Sequence, residues 1–151
     1  TQAPGVLPDR IAGAALAQFG ADEVSIMLAD GDGMYLEVRA VRGEGREALI
    51  GCRVPVGTGI AGQVALRREF LVLQGPVTDP ELSPRFPRAA IQSALSMPMI
   101  ARDRLVGVLN VNYTRQPRSF APGQVRMLGL FVNAAAAGIE AARLHDGHRR
   151  S

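Results

Sequence analysis

The chain has 151 residues, 47% hydrophobic and 21% charged, the size and composition of one soluble globular domain. No apolar run approaches the roughly eighteen residues of a membrane span, and Thr1–Gly5 shows no secretion signal, so a cytoplasmic location without membrane contact is expected. The net charge is +3, but all seventeen basic residues are Arg, scattered among fourteen acids and without any Trp for stacking, which argues against nucleic acid as a partner.

One cysteine, Cys52, excludes an internal disulfide framework and a multi-cysteine zinc site. On an apolar strand face it reads as a core residue rather than a redox centre.

The first predicted element is a helix from about Pro8 to Phe19, with Leu7, Ile11, Ala15 and Phe19 recurring every fourth residue. Pro8 suits a first turn, and Gly20 is placed to end the helix in a left-handed conformation. Val24–Ala29 reads as a buried strand. Asp30-Gly31-Asp32-Gly33 supplies a hairpin turn; as a calcium loop it would need a Glu where Val41 stands. The returning strand, Met34 to Val41, alternates, with Met34, Leu36, Val38 and Ala40 expected on one face and Tyr35, Glu37 and Arg39 on the other. A third strand is expected over Leu49–Val56, with Ile50, Cys52, Val54 and Val56 aligned.

Gly57-Thr58-Gly59-Ile60-Ala61-Gly62 then opens a short helix. Its glycines have the spacing of a dinucleotide-binding fingerprint, but the neighbouring hairpins are the wrong context, and no Lys follows as a phosphate loop requires. The expected roles are structural: Thr58 caps the helix and Gly62 lets it pack close to the sheet. A short strand, Phe70–Leu73, precedes a segment with four prolines between Gln74 and Arg88, which excludes a long regular element there. Ser93–Ala101 and Leu105–Tyr113 form a second hairpin across Arg102-Asp103-Arg104. By period two, Val106, Val108, Asn110 and Asn112 share one face of its second strand.

A closing helix is expected from Pro122 to about Leu144. Val125, Leu128, Val132, Ala135, Ile139 and Ala142 form one stripe, while Met127, Phe131, Ala134, Ala141 and Leu144 carry apolar character round the cylinder. Such a helix needs a second partner besides its own sheet. His145 and His148 share an i, i+3 spacing, but two histidines near the end of the chain make a poor metal site, so no metal is expected. The domain is expected over 8–144, between a flexible segment 1–7 and a basic tail or linker 145–151.

Three segments together, Val54–Leu66 with its glycine turn, Ser93–Ala101 and Leu105–Val111, resemble a GAF domain, the small sensory module of signalling proteins. The resemblance implies an α+β fold: a central antiparallel sheet of about six strands, terminal helices on one face, and a lidded pocket on the other. It implies a non-catalytic sensor or regulatory domain of a larger bacterial signal-transduction protein, such as a two-component system. Such a domain would bind a small molecule or partner, associate as a homodimer through its terminal helices, and control an attached output domain. Candidate ligand contacts are Thr78, Asp79, Arg85 and Phe86 in the lid, with Ser96, Asn110 and Asn112 on the sheet, a mixture suited to an unidentified small anionic or heteroaromatic metabolite. If Arg85 and Asn110 face an open cavity, alanine at either should cost no more than about 1 kcal/mol. Candidate dimer contacts are Met127, Phe131, Ala134, Gly138 and Ala141. No cofactor is implied.

The chain departs from the family pattern at Ala121, which cannot cap the last helix, and at Gln74, where many relatives carry Asp. The acid-rich NKFDE signature of cyclic-nucleotide GAF domains is not discernible. Two other readings stay open: a dimerisation module with a vestigial pocket, and an enzyme on this fold such as a methionine sulfoxide reductase, whose chemistry uses more than one cysteine.

Overall fold

The computed structural model describes residues 6–44, 47–74 and 91–150, with side chains described as far as His145. Its elements are α1 (Val6–Phe19), β1 (Glu23–Ala29), β2 (Tyr35–Gly43), a 3-10 turn (Glu47–Leu49), β3 (Arg53–Pro55), α2 (Gly59–Arg67), β4 (Leu71–Gln74), β5 (Ser93–Ala101), β6 (Arg104–Tyr113) and α3 (Pro122–Arg150). The strands form one six-stranded sheet in the order β3-β2-β1-β6-β5-β4. Every pairing is antiparallel; the two hairpin turns require it of β1–β2 and β5–β6, and the other three pairings share it.

The two hairpins meet along β1 and β6, where Glu23 faces Asn112 and Leu28 faces Gly107. Gly107 is needed there, because a Cβ at this position would sit 2.1 Å from the carbonyl oxygen of Met27. One face of the sheet packs Val24, Ile26, Leu95, Met97, Leu109 and Val111 against Ala12 and Ala15 of α1 and Leu128, Val132, Ala136 and Ile139 of α3. Both terminal helices therefore cover the same face. Each large side chain buried in this layer contributes about 2 kcal/mol relative to exposure. The other face carries a second core of Met27, Leu36, Val38, Val54 and Val108, closed by Val64 and Ala65 of α2.

Two irregularities overturn the simple alternation. Opposite β1 the register jumps between Ile26–Ala40 and Met27–Val38, leaving Arg39 as an extra residue in β2. Leu36 and Val38 thus join the α2-side core while Ala40 joins the helix-side core. Met34, expected to begin the inward row, is exposed. A second jump, between Met99–Gly107 and Ile100–Leu105, turns Val106 to the helix side, away from Val108 and Asn110. A bulge adds one residue to one strand, so every later side chain changes face.

The expected third strand is shorter than its pattern. Gly51 has φ +92° and breaks it, so only Arg53–Pro55 pairs, Ile50 is exposed and Cys52 is half-buried beside the second core. Thr58 holds the N-cap position of α2 without a side-chain capping bond. The glycine turn is closed instead by the Gln63 amide, which donates to the Gly57 carbonyl at 2.6 Å. Gly62 does permit close packing, since a Cβ there would lie 2.9 Å from the Pro55 carbonyl oxygen.

α1 ends at Gly20, φ +57°. At the start of α3, Ala121 has no capping side chain, but the Gln124 carboxamide oxygen accepts its backbone N–H at 2.9 Å, half of a capping box. α3 runs on to Arg150 through the stretch expected as a tail. By length and composition Pro122–His145 could cross a membrane, contrary to the expectation from the sequence, although one of its faces is committed to the sheet.

Asp22 fastens the end of β6. Its carboxylate accepts the N–H groups of Thr114 at 2.8 Å and Arg115 at 3.1 Å. Desolvation pushes its pKa up, but those two bonds and the Arg115 and Arg118 guanidiniums outweigh it and leave the pKa below the ordinary 3.8. The native pKa is thus depressed, so the stabilisation is complete above that ordinary value and is lost as pH falls through the depressed one. Acid-unfolding curves of wild type and Asp22→Asn should therefore differ by a constant amount above about pH 4 and converge only as pH falls through the depressed native value.

Gly107→Ala should destabilise by about 3 kcal/mol, the upper end of overpacking costs, because the clash is with backbone. Gly129→Ala, in α3 with nothing within 4 Å of the new methyl, should stabilise by about 0.5–1 kcal/mol. Urea denaturation of both variants checks the pair.

Candidate functional site: a cavity between the sheet and α2

On the sheet face away from α1 and α3 lies a cavity of about 70 Å³, lined by Met27, Val38, Leu49, Val54, Thr58, Gly59, Ile60, Ala61, Ile91, Ala94, Ser96, Asn110 and Asn112. Strands β1, β2, β3, β5 and β6, the 3-10 turn and α2 all contribute to it. β1 and β2 supply an apolar floor, the glycine turn and start of α2 supply one wall, and β5 and β6 supply the polar side. The glycines at 57 and 59, with φ +96° and +70°, turn the chain from β3 into α2 so that Thr58–Ala61 face the sheet.

The polar side is a bonded row. The Ser96 hydroxyl donates to Asn110 Oδ1 at 2.6 Å, and Asn110 Nδ2 donates to Ser25 Oγ at 3.2 Å, with Met27 Sδ at 3.7 Å. One residue pair further along, Asn112 Nδ2 donates to Glu23 Oε1 at 3.0 Å. All five polar residues are buried, and Asn110 is only 6% exposed. The register places them together: Ser25 faces Asn110 across β1–β6, and Asn110 faces Ser96 across β5–β6.

Of the residues proposed from sequence, Ser96, Asn110 and Asn112 are brought together at the cavity. Thr78, Asp79, Arg85 and Phe86 lie outside the described residues. Ser25 and Glu23 complete the row, yet a serine in an apolar strand carries no signal until its cross-strand neighbour is known. Chemically, the described walls combine aliphatic surface with amide and hydroxyl groups able to orient one polar end of a small molecule. Cys52 does not line the cavity, and no group of three or more His, Cys, Asp or Glu that could hold a metal occurs among the described residues.

The candidate dimer residues divide. Met127 is 52% exposed and Ala134, Gly138 and Ala141 are also exposed, whereas Phe131 is half-buried with its ring edge-on to Phe19 at 6.0 Å. Leu130 and Leu144, 61% and 53% exposed, present more apolar surface than Phe131.

The model of the GAF-domain family matches residues 8–140, and the chain belongs to that family. Among solved structures it is similar to the second GAF domain of DevS from Mycobacterium smegmatis: 26% identity, 98% of this chain and 99% of that one, TM-score 0.77. It is also similar to the GAF domain of a phosphoenolpyruvate-protein phosphotransferase from Coxiella burnetii: 20% identity, 97% and 88% of the two chains, TM-score 0.84. A third likeness is to free methionine-R-sulfoxide reductase from Neisseria meningitidis, solved with its substrate: 21% identity, 91% and 78% of the chains, TM-score 0.73. No curated protein matches the sequence.

The bonded row corrects the expected cost of changing Asn110. Asn110→Ala removes the partner of two buried hydroxyls and should destabilise by about 1–3 kcal/mol, more than an open-cavity position would. Thermal and urea unfolding of Asn110→Ala beside Thr58→Ala, an exposed lining position, provide the measurement.

Proposed function

We propose that this GAF domain is the sensory or regulatory part of a larger, cytoplasmic signal-transduction protein, and that it binds a small molecule in the cavity beside Asn110. The observation that carries the reading is the row Ser25–Asn110–Ser96 standing against the aliphatic walls of that cavity. A ligand with an apolar body and one hydrogen-bonding end fits those described walls. Binding and chemical change are separate matters: no cofactor is part of this proposal, and the domain acts by occupancy rather than catalysis.

Transmission follows from shared strands. β5 and β6 show Ser96, Asn110 and Asn112 to the cavity and Leu95, Met97, Leu109 and Val111 to the helix side. A ligand that shifts these strands therefore acts on the seat of α3 across one sheet thickness. A further link is the Arg143 guanidinium, which donates to the Ala29 carbonyl at 3.2 Å and ties α3 to the end of β1. The output domain would read the movement of α3.

Native mass spectrometry of freshly purified domain, followed by thermal-shift screening of a metabolite panel, tests the reading. A ligand at about a hundred times its Kd adds about 2.7 kcal/mol, a rise of roughly 5–10 °C in Tm. Ala61→Phe, which fills the cavity from α2, should abolish that rise while leaving the fold intact. If neither a retained molecule nor any shift is found, the cavity is vestigial and the domain is a scaffold.

A further inference from the structure

α2 is a lightly seated wall of the cavity. Of its side chains only Val64 and Ala65 are apolar and fully buried, whereas α3 buries Leu128, Val132, Ala136 and Ile139. Its N-terminal end hangs from the turn in which Gly57 and Gly59 have φ +96° and +70°, and glycine keeps most conformational freedom there. Its other end is held by a side chain. Arg68, the C-cap residue, has φ +57°, and its guanidinium donates to the Asp103 carbonyl at 2.7 Å. Asp103 lies in the turn between β5 and β6, outside both strands. Among the described residues, the non-glycine residues with positive φ are Arg68, Arg102 at +52° and Asp103 at +62°, and all of them meet at this bond. Glycine takes such a backbone without steric cost and does so at Gly20, Gly33, Gly43 and Gly51. The chain thus bears a backbone cost at the place where a side chain from α2 reaches the β5–β6 turn.

We propose that Arg68 is a strap. It holds α2 down beside the hairpin whose strands carry Ser96, Asn110 and Asn112, and its release lets α2 swing on the glycine turn and widen the cavity. The α2 wall and the polar side of the cavity are thereby tied by one exposed hydrogen bond between groups 35 residues apart in the chain. An exposed bond of this kind contributes little to stability, so the strap opens locally while the domain stays folded. The use of that opening to admit a ligand rests on the reading of the cavity as a binding site; the strap itself does not.

Two ligand-free measurements on the whole chain test it. In a Cys52→Ser background, Ala65→Cys places a thiol beneath α2 and, in a separate variant, Ala61→Cys places one in the cavity wall. The rate of labelling by N-ethylmaleimide reads how often each is uncovered, and amide hydrogen exchange reads the opening of α2 without any added thiol. Arg68→Gly is the decisive change. Glycine removes the guanidinium yet takes the positive φ freely, so faster labelling cannot come from added backbone strain. It should raise both labelling rates about three- to tenfold, the effect of one lost hydrogen bond, and should raise exchange over α2 but not over α3. Asp103→Gly keeps the carbonyl that Arg68 uses and should label at the wild-type rate. Unchanged rates in Arg68→Gly, rates raised as much by Asp103→Gly, or exchange raised equally in α3 would overturn the proposal. No probe has to occupy the cavity, so this outcome is separate from that of the metabolite screen.

Discussion

The pairing of β1 with β6 is the constraint on which the rest depends. It joins two hairpins that are remote in sequence, and closing so long a connection costs entropy that only the contacts made afterwards can offset. The strands can meet only because position 107 has no side chain to strike the Met27 carbonyl. Once they meet, one continuous sheet exists, and each of its faces needs a cover. The helix-side face takes α1 and α3; the other takes α2 and the glycine turn.

The same pairing produces the site. Amides at 110 and 112 would be costly in a buried sheet unless each polar group found a partner. Register brings Ser25, Ser96 and Glu23 to them, so the polar row is satisfied within the protein and held in fixed orientation. A row of this kind is pre-organised: any ligand entering the cavity would meet groups that already have their geometry and need only share their remaining hydrogen-bonding capacity. The adjacent aliphatic surface of Met27, Val38 and Val54 would favour an apolar body over water there.

α3 has two unlike apolar sides. Its inward stripe is large and branched and locks it to β5 and β6, while its outward stripe is Met, Leu and Ala with no charge along its length. The link from Arg143 to Ala29 and the ion pair of Arg104 with Glu140, 3.7 Å apart, join the distal half of the helix to the ends of strands that continue into the cavity floor and polar side. The helix is thereby a rigid element whose position is set by the sheet that also forms the cavity.

The periodicities of this chain determined by themselves the kind and order of its elements, because hairpin turns, proline breaks and a glycine stop act within a few residues of sequence. Ser93–Ala101 and the helix stop at Gly20 are legible for that reason. The family pattern at the glycine turn carried the antiparallel α+β fold with it, and the asparagines at 110 and 112 stand out as amides within an apolar strand. Tertiary structure alone decided what depends on register. The bulges at Arg39 and Val106 moved side chains to the opposite face, Gly51 shortened the third strand, and Gln124 did the capping that Ala121 could not. Nor could the sequence join Ser25 to Asn110 or set Phe131 of α3 against Phe19 of α1. Those are relations between residues far apart in the chain, and a single-strand pattern holds no information about its neighbour until the two are packed.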